Sequence, residues 1–386
     1  MRSTLLYTFA CALLTTACGS SDEGSGGGTD DDGGGTGGSG GSITEPAGVP
    51  ILGAGTHDPA ALLITVVASV DDGLNDPTDA EFHPFVPGEL WITNRADDSM
   101  VIVNDTGLPS RSANKYGGPG TFGASHFLAN PAALAFSLDN GNLATIHEED
   151  QVTQSTTPAT FMGPTLWPSD RAIFDGGHAG HYDMLHNSPN GMGIAWDTGN
   201  AFWVFDGYYS AITRYDFAMD HGPGGADHSD GIVQRCVEGM IARLPGVPSH
   251  MEVDHATGWL YFADTGNGRI ARLDTNTGVE SGPMGPNYDG TVQVRMEGAV
   301  LETFIDAGVY GNGWPSGLAM RDGIMFVSDN VTATLFAYDM ATREMLDYLP
   351  LGWSEGALNG ITFDADGNLY AINGNDNQVV KLALAN

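Results

Sequence analysis

Positive charge is what this 386-residue chain most lacks: Lys and Arg together number 14 against 48 Asp and Glu, for a formal net charge of -34. Only Lys115 and Lys381 are lysines. A surface this acidic repels phosphate backbones and anionic lipid headgroups, which excludes nucleic acid as a partner. Cysteine is scarce as well, with Cys11, Cys18 and Cys236 the full complement. The first two fall near the N-terminus, so the folded part has no pair for an internal disulfide, and Cys236 reads as a small buried hydrophobe. No apolar run is long enough to cross a bilayer as a helix, and helix-period patterns are essentially absent.

The N-terminal residues supply a different kind of information. Residues 1–17 carry Arg2 and the short apolar run LLYTFACALL before small residues, as a secretion signal does. The stretch Leu14-Thr-Thr-Ala-Cys18 resembles a bacterial lipobox, although Thr15 rather than Leu stands three places before the cysteine. The resemblance implies that Cys18 becomes the acylated (palmitate-bearing) first residue of a lipoprotein. Residues 18–45 continue as a Gly/Ser/Asp-rich tether with almost nothing to build a core. Gly19 after the cysteine, by resemblance to Gram-negative lipoproteins, implies the outer membrane, on its periplasmic or outer side. The lipid is then the only contact with a membrane.

From Pro46 to Asn386 the chain reads as one domain built on a recurring hairpin: an apolar strand, an Asp/Gly turn, then an apolar strand ending in Asp, Asn or His. Clear copies are GIAWDTGNAFWVFD to Asp206, MEVDHATGWLYFAD to Asp264, GLAMRDGIMFVSD to Asp329 and GITFDADGNLYAIN to Asn373, with looser ones ending at Asn94 and His147. None can bury both faces alone, so the copies must stack. Two more strands fit each interval, as in MVIVN, AITRYDF, RIARLD and TLFAYD. Six units of four antiparallel strands predict an all-β, six-bladed β-propeller. The last unit lacks a fourth strand, while ALLITVVASV (61–70) precedes the first hairpin without a unit of its own. Pairing it beside Val379–Leu384 closes the ring and removes an exposed edge.

The pattern G-I-A-x-D-x-x-G-N-x-Y/W-V-A-D-x-x-N-x-R-I, seen best in Met251–Asp274 and Gly360–Leu382, resembles the NHL repeat. The resemblance implies a propeller and leaves the chemistry open, since such propellers serve as binding scaffolds, lactonases and peptide-amidating lyases.

Candidate site residues come from blade positions where one copy departs from the rest. His250 stands at a channel entry, aligned with Glu81, Ala132, Met192 (with Asn190 before it), Ser316 and Asn359. His147 replaces the Asp or Asn that ends the other hairpins, and Arg95 and Tyr208 project from the loops that follow. Imidazole binds metal or relays protons, and Tyr and Arg stabilise oxyanions, so Tyr208, Arg95 and His147 are the catalytic candidates. Val247-Pro-Ser-His250 with Asp206-Gly-Tyr208 resembles the peptidyl-hydroxyglycine amidating lyase, which implies zinc at His250 with Tyr208 and Arg95 beside it. No other blade entry here is histidine. Glu81, Asn190 and Asn359 resemble instead the divalent-metal centre of gluconolactonase-like propellers, where oxygen ligands suit Ca²⁺. His178, His181 and His186, with Asp183, form the densest run of metal-ligand types, expected on the loop into blade 3 at the same face. His221 and His228 read as solvated. Two functions stay open: a monomeric envelope module binding a protein or small molecule through its top face, or a metal-dependent lyase or hydrolase with Zn²⁺ or Ca²⁺ in the central channel.

Overall fold

The computed structural model describes residues 48–152, 163–307 and 313–384. The expected secretion signal, Cys18 and the expected tether lie outside them. The compact unit spans Thr44–Asn386.

All six predicted hairpins are present, and each second strand ends at the expected residue: Asn94, His147, Asp206, Asp264, Asp329 and Asn373. In each blade four antiparallel strands run outward in chain order, except that the outermost strand of blade 6 comes from the N-terminal end of the domain. The six first strands are Pro77–Phe82, Pro131–Phe136, Gly191–Thr198, Met251–Asp254, Pro315–Arg321 and Leu358–Phe363. They contact one another in cyclic order and so surround the central channel. The ring closes as the sequence predicts. Leu62–Ala68 pairs antiparallel with Gln378–Leu384, placing Ile64 opposite Leu382 and Val66 opposite Val380.

Alternation of apolar residues builds the core between neighbouring blades. Trp91, Phe136, Trp167 and Phe174 pack between blades 1 and 2, and Phe205 and Phe262 between blades 3 and 4. The Asp residues at the hairpin ends lock the following turns: Asp206 accepts from the N–H groups of Tyr208 and Tyr209, and Asp329 from that of Thr332 while also holding the Trp314 N–H at the entry to its blade. Cys236 is buried, as expected.

One feature was not predicted. The connection between the third and fourth strands of blade 4 forms a hairpin, Val279–Pro283 with Val292–Glu297. It leaves its own blade and pairs in parallel with Ile232–Cys236 at the outer edge of blade 3. Blade 3 thereby has six strands.

Candidate functional site in the central channel

Register fixes which residues share a level of the channel. Glu81, Ala135, Ala195, Glu252, Ala319 and Thr362 each pair with the second-strand residue three before the hairpin end. Two residues nearer the entry lie Asp79, Ala133, Gly193, His250, Gly317 and Gly360. His250 is therefore the counterpart of Asp79 and of these small residues, and not of Glu81, Ala132, Met192, Ser316 and Asn359. The first strands of blades 1, 2, 3, 5 and 6 carry a register irregularity near the entry. That extra residue offsets an alignment made from sequence.

The two levels show a pattern. Blades 2, 3, 5 and 6 read Ala-Leu-Ala, Gly-Ile-Ala, Gly-Leu-Ala and Gly-Ile-Thr, whereas blades 1 and 4 read Asp79-Ala80-Glu81 and His250-Met251-Glu252. Blades 1 and 4 are three apart in a ring of six, hence diametrically opposite. The ionisable residues face each other across the axis, and small residues on the other four blades leave them room.

At the lower level, Glu81 and Glu252 help line a cavity of roughly 300 Å³ with Ala135, Ala195, Ala319 and Thr362. The cavity extends to Trp196, His255 and Phe363 near the hairpin turns, so it is a cup at the face opposite the strand entries. Glu252 Oε2 accepts from the Met320 N–H at 2.7 Å, and Glu81 Oε2 from the Thr362 hydroxyl at 3.3 Å. Among the described residues, no lysine or arginine lines this cup. Loss of water around the Glu252 carboxyl pushes its pKa up to about 8. Glu81 is held well above the usual carboxylate range by the same desolvation, reinforced by the negative charges of Asp79 and Glu252.

At the upper level the channel is pinched. Asp79 Oδ1 lies 3.3 Å from His250 Nδ1 across the axis. Asp79 also accepts from the N–H groups of Ala80 and Leu134, and burial raises its pKa against the pull of His250 and these donors. His250 is 5% exposed, and its Nε2 is buried without a partner. A Cβ on Gly360 would stand 2.5 Å from His250 Cε1 and 3.1 Å from Asp79 Oδ1, so the glycine is required for space. Above this level the entry face is bridged. Arg95, which follows blade 1's second strand, donates through Nη1 to Gly246 O at 2.6 Å, on the lead-in to blade 4. Glu148 joins Arg95 and Arg243 and accepts from the Gly246 N–H.

The remaining candidates are dispersed. Arg95 is engaged in that bridge, with Asp76 on its Nε. His147 is fully buried, its Nδ1 2.7 Å from Gly163 O and its Nε2 3.1 Å from Thr145 Oγ1. Desolvation lowers its pKa to about 4, so it is a neutral strand-end lock. Tyr208 is 49% exposed, edge-on to Tyr209. Asn359 spends its amide on Pro77 O and Asn330, clamping blades 5, 6 and 1. Asn190 adopts φ 54° and is held through its backbone by Glu149 and Gly207. His178, His181 and His186 lie not at the channel but beside a separate cavity at the outer edge of blades 2 and 3, with His126, Phe127 and His228. His181 stacks on Phe127, and burial lowers its pKa to about 4; His186 Nδ1 is 2.7 Å from Asp289 Oδ1. Glu81, His250, Asn190 and Asn359 thus do not meet the histidine loop. Nor are His221 and His228 merely solvated: His228 Nδ1 bonds Asp183, and His221 Nε2 lies 2.9 Å from Asp230.

Asp79 and Glu252 are the channel residues that sequence reasoning missed. The signal was available, since each lies two residues from a candidate on the same strand, within a triplet whose other copies hold only small and aliphatic residues.

Neither a protein-family model nor a curated protein matches the sequence. Solved structures do. A Bacteroides thetaiotaomicron protein of unknown function is 12% identical, with a TM-score of 0.52 over 84% of this chain and 76% of that one. An auxiliary nutrient-binding protein from Bacteroides ovatus is 12% identical, with a TM-score of 0.51 over 84% of this chain and 77% of that one. A calcium-binding regucalcin from Agrobacterium tumefaciens is 12% identical, with a TM-score of 0.50 over 84% and 94%. At this identity the likeness is one of fold: the chain is a six-bladed β-propeller. The resemblance of the repeat to the NHL pattern finds no match among family models.

Proposed function

We propose that this propeller is a ligand-binding module of the cell envelope and that its site is the cup at the turn end of the channel, selective for a cation. The observation that carries this reading is the pair of opposed carboxyl groups, Glu81 and Glu252, held in a cavity with no lysine or arginine on its wall. Without a cation, burial favours the protonated form of each. A bound cation supplies the missing positive charge, and the protons leave. The oxygen-rich pair, with Thr362 beside it, suits Ca²⁺ better than a softer metal. A volume of roughly 300 Å³ admits the ion together with several waters or a small ligand's polar group. The bridge through Arg95, Glu148 and Gly246 across the strand entries, where the sequence pointed, supports a binding face at the opposite end.

Titration calorimetry with Ca²⁺ tests this. One ion per chain is expected in the wild type, with a heat that varies with buffer ionisation because protons are released. The Glu81→Gln/Glu252→Gln protein should bind neither Ca²⁺ nor Mg²⁺ in the channel. Equal binding by both proteins would sink the assignment.

A second reading rests on the Asp79–His250 pair: a carboxylate holds Nδ1 while Nε2 has no partner, the layout of a general base. It supports a metal-dependent lyase or hydrolase, of amidating-lyase or lactonase type. His250→Gln should then abolish turnover and leave Ca²⁺ binding intact.

Attachment through Cys18 completes the proposal, the tether holding the propeller at the outer membrane. Labelled palmitate should enter the wild-type chain and not Cys18→Ala. Labelling of both, or of neither, would defeat the anchor.

A further inference from the structure

We propose that Asp183, His221 and Asp230 bind a divalent transition metal, Zn²⁺ foremost, which fastens the insertion of blade 3, residues 217–231 between its third and fourth strands, to the outermost strand of blade 2.

Asp183 lies in Asp183–Met184, the last strand of blade 2, and its side chain is 0% exposed. One oxygen, Oδ1, is saturated by the Met184 N–H at 2.6 Å and by His228 Nδ1. The other, Oδ2, is buried with no hydrogen-bond partner. A carboxylate oxygen left bare in the interior is costly, and here it faces a specific group: His221 Nε2 is 3.8 Å away. Asp230 Oδ1 lies 2.9 Å from the same nitrogen, and one ligand atom from each of the three residues falls within 4.8 Å of the others. Metal bonds of about 2.0–2.2 Å bring ligand atoms to a comparable separation, so side-chain rotation alone converts this triangle into a coordination face.

The donor set decides the class of metal. One imidazole with two carboxylates suits Zn²⁺ and its neighbours, because a nitrogen ligand is foreign to the all-oxygen shell that Ca²⁺ prefers. The hydrogen bonds on Oδ1 play the part that outer-shell partners play around bound metals: they aim the free oxygen at the ion. His221 and Asp230 retain side-chain exposures of 16% and 33%, which leaves a path for the ion and for water.

Its consequence is local order. The insertion carries Gly224, whose N–H donates to His181 O, and Gly225, whose carbonyl lies 3.0 Å from His181 Nε2. Gly225 and His228 also line the cavity of roughly 500 Å³ that holds His126, His178 and His186. A metal at Asp183 pins the lip of that cavity. The site shares no residue with the channel cup and does not depend on it.

Titration of the chelator-treated, dialysed whole protein with Zn²⁺ provides the test. One Zn²⁺ per chain is expected at this site, retained in Glu81→Gln/Glu252→Gln. His221→Ala and Asp230→Asn, both on the accessible side, should each weaken binding by more than about 100-fold, since changes to outer-shell partners alone cost about 10–100-fold. His228→Gln should fall within that smaller range. Co²⁺ substitution adds a second readout: the visible absorption of the bound ion should disappear in His221→Ala while the fold, judged by circular dichroism, persists. No Zn²⁺ binding in the channel variant, or binding that survives both His221→Ala and Asp230→Asn, would overturn the site. So would binding lost in His186→Ala but kept in His221→Ala.

Discussion

Glu252→Gln is expected to stabilise the protein at pH 8 by on the order of 4 kcal/mol, and to change little near pH 4. The carboxyl titrates at about 8 in the folded chain against an ordinary 4.5, because the channel removes its water. Between those values the folded state binds a proton that the unfolded state has released. Stability therefore falls as pH rises from about 4.5 to about 8 and levels off above. Glutamine retains an oxygen for the Met320 N–H and carries no charge to desolvate, so the variant escapes the decline. Removing Glu252 also removes one of the charges that hold Glu81 up, which acts in the same direction. Urea unfolding of both proteins across pH 4 to 9 checks this. The two stability curves should diverge with rising pH, and parallel curves would show that Glu252 is not desolvated. Saturating Ca²⁺ should narrow the gap at pH 8, because a ligand that binds only the folded wild type raises its stability.

Such a cost has a bearing on function. A chain that only needed a packed channel could carry small or apolar residues at all six positions of this level, as Ala135, Ala195 and Ala319 do on three blades. Two buried acids on opposite blades reduce stability near neutral pH and gain a site whose charge is matched only when something positive enters.

The fold was legible because a propeller writes its architecture into local chemistry. Each hairpin needs a turn and a polar residue to close it, so Asp206, Asp264, Asp329 and Asn373 marked the blades, and the unmatched strand around Ile64 marked the closure. The channel was harder to read. Glu81 and His250 stood out as departures, but their partners Asp79 and Glu252 are ordinary acids until the register places them opposite each other. The irregularity at the strand entries shifts that register by one residue, and residue types at the entry do not reveal it. Bonds between distant residues were invisible altogether. Nothing in the sequence announces that Arg95 reaches Gly246, or that Asp183 lies beside His221 rather than beside its near neighbours His181 and His186.

Arg235→Met is expected to cost about 3–5 kcal/mol at pH 8 and distinctly less at pH 5. Arg235 is a buried cation in the fourth strand of blade 3; Nη2 donates to Asn187 O at 2.8 Å and lies 3.5 Å from Asp206 Oδ2. Its guanidinium carbon sits 3.6 Å above the Tyr209 ring. Burial raises the Asp206 pKa to about 6 even with Arg235 pulling it down. Methionine fills comparable space but leaves the carboxylate uncompensated, and that charge can be neutralised only by taking up a proton. The sign follows: acid protonates Asp206 and relieves the variant, so the deficit grows as pH rises through and beyond 6. Asp206→Asn in the Arg235→Met background should recover much of the loss, because the amide keeps an acceptor for the Tyr208 and Tyr209 N–H groups without the charge. A deficit equal at both pH values, or one unaffected by Asp206→Asn, would mean that Arg235 acts through packing under Tyr209 alone. The loop bearing Tyr208 would then owe its position to the aromatic stack and not to the buried pair.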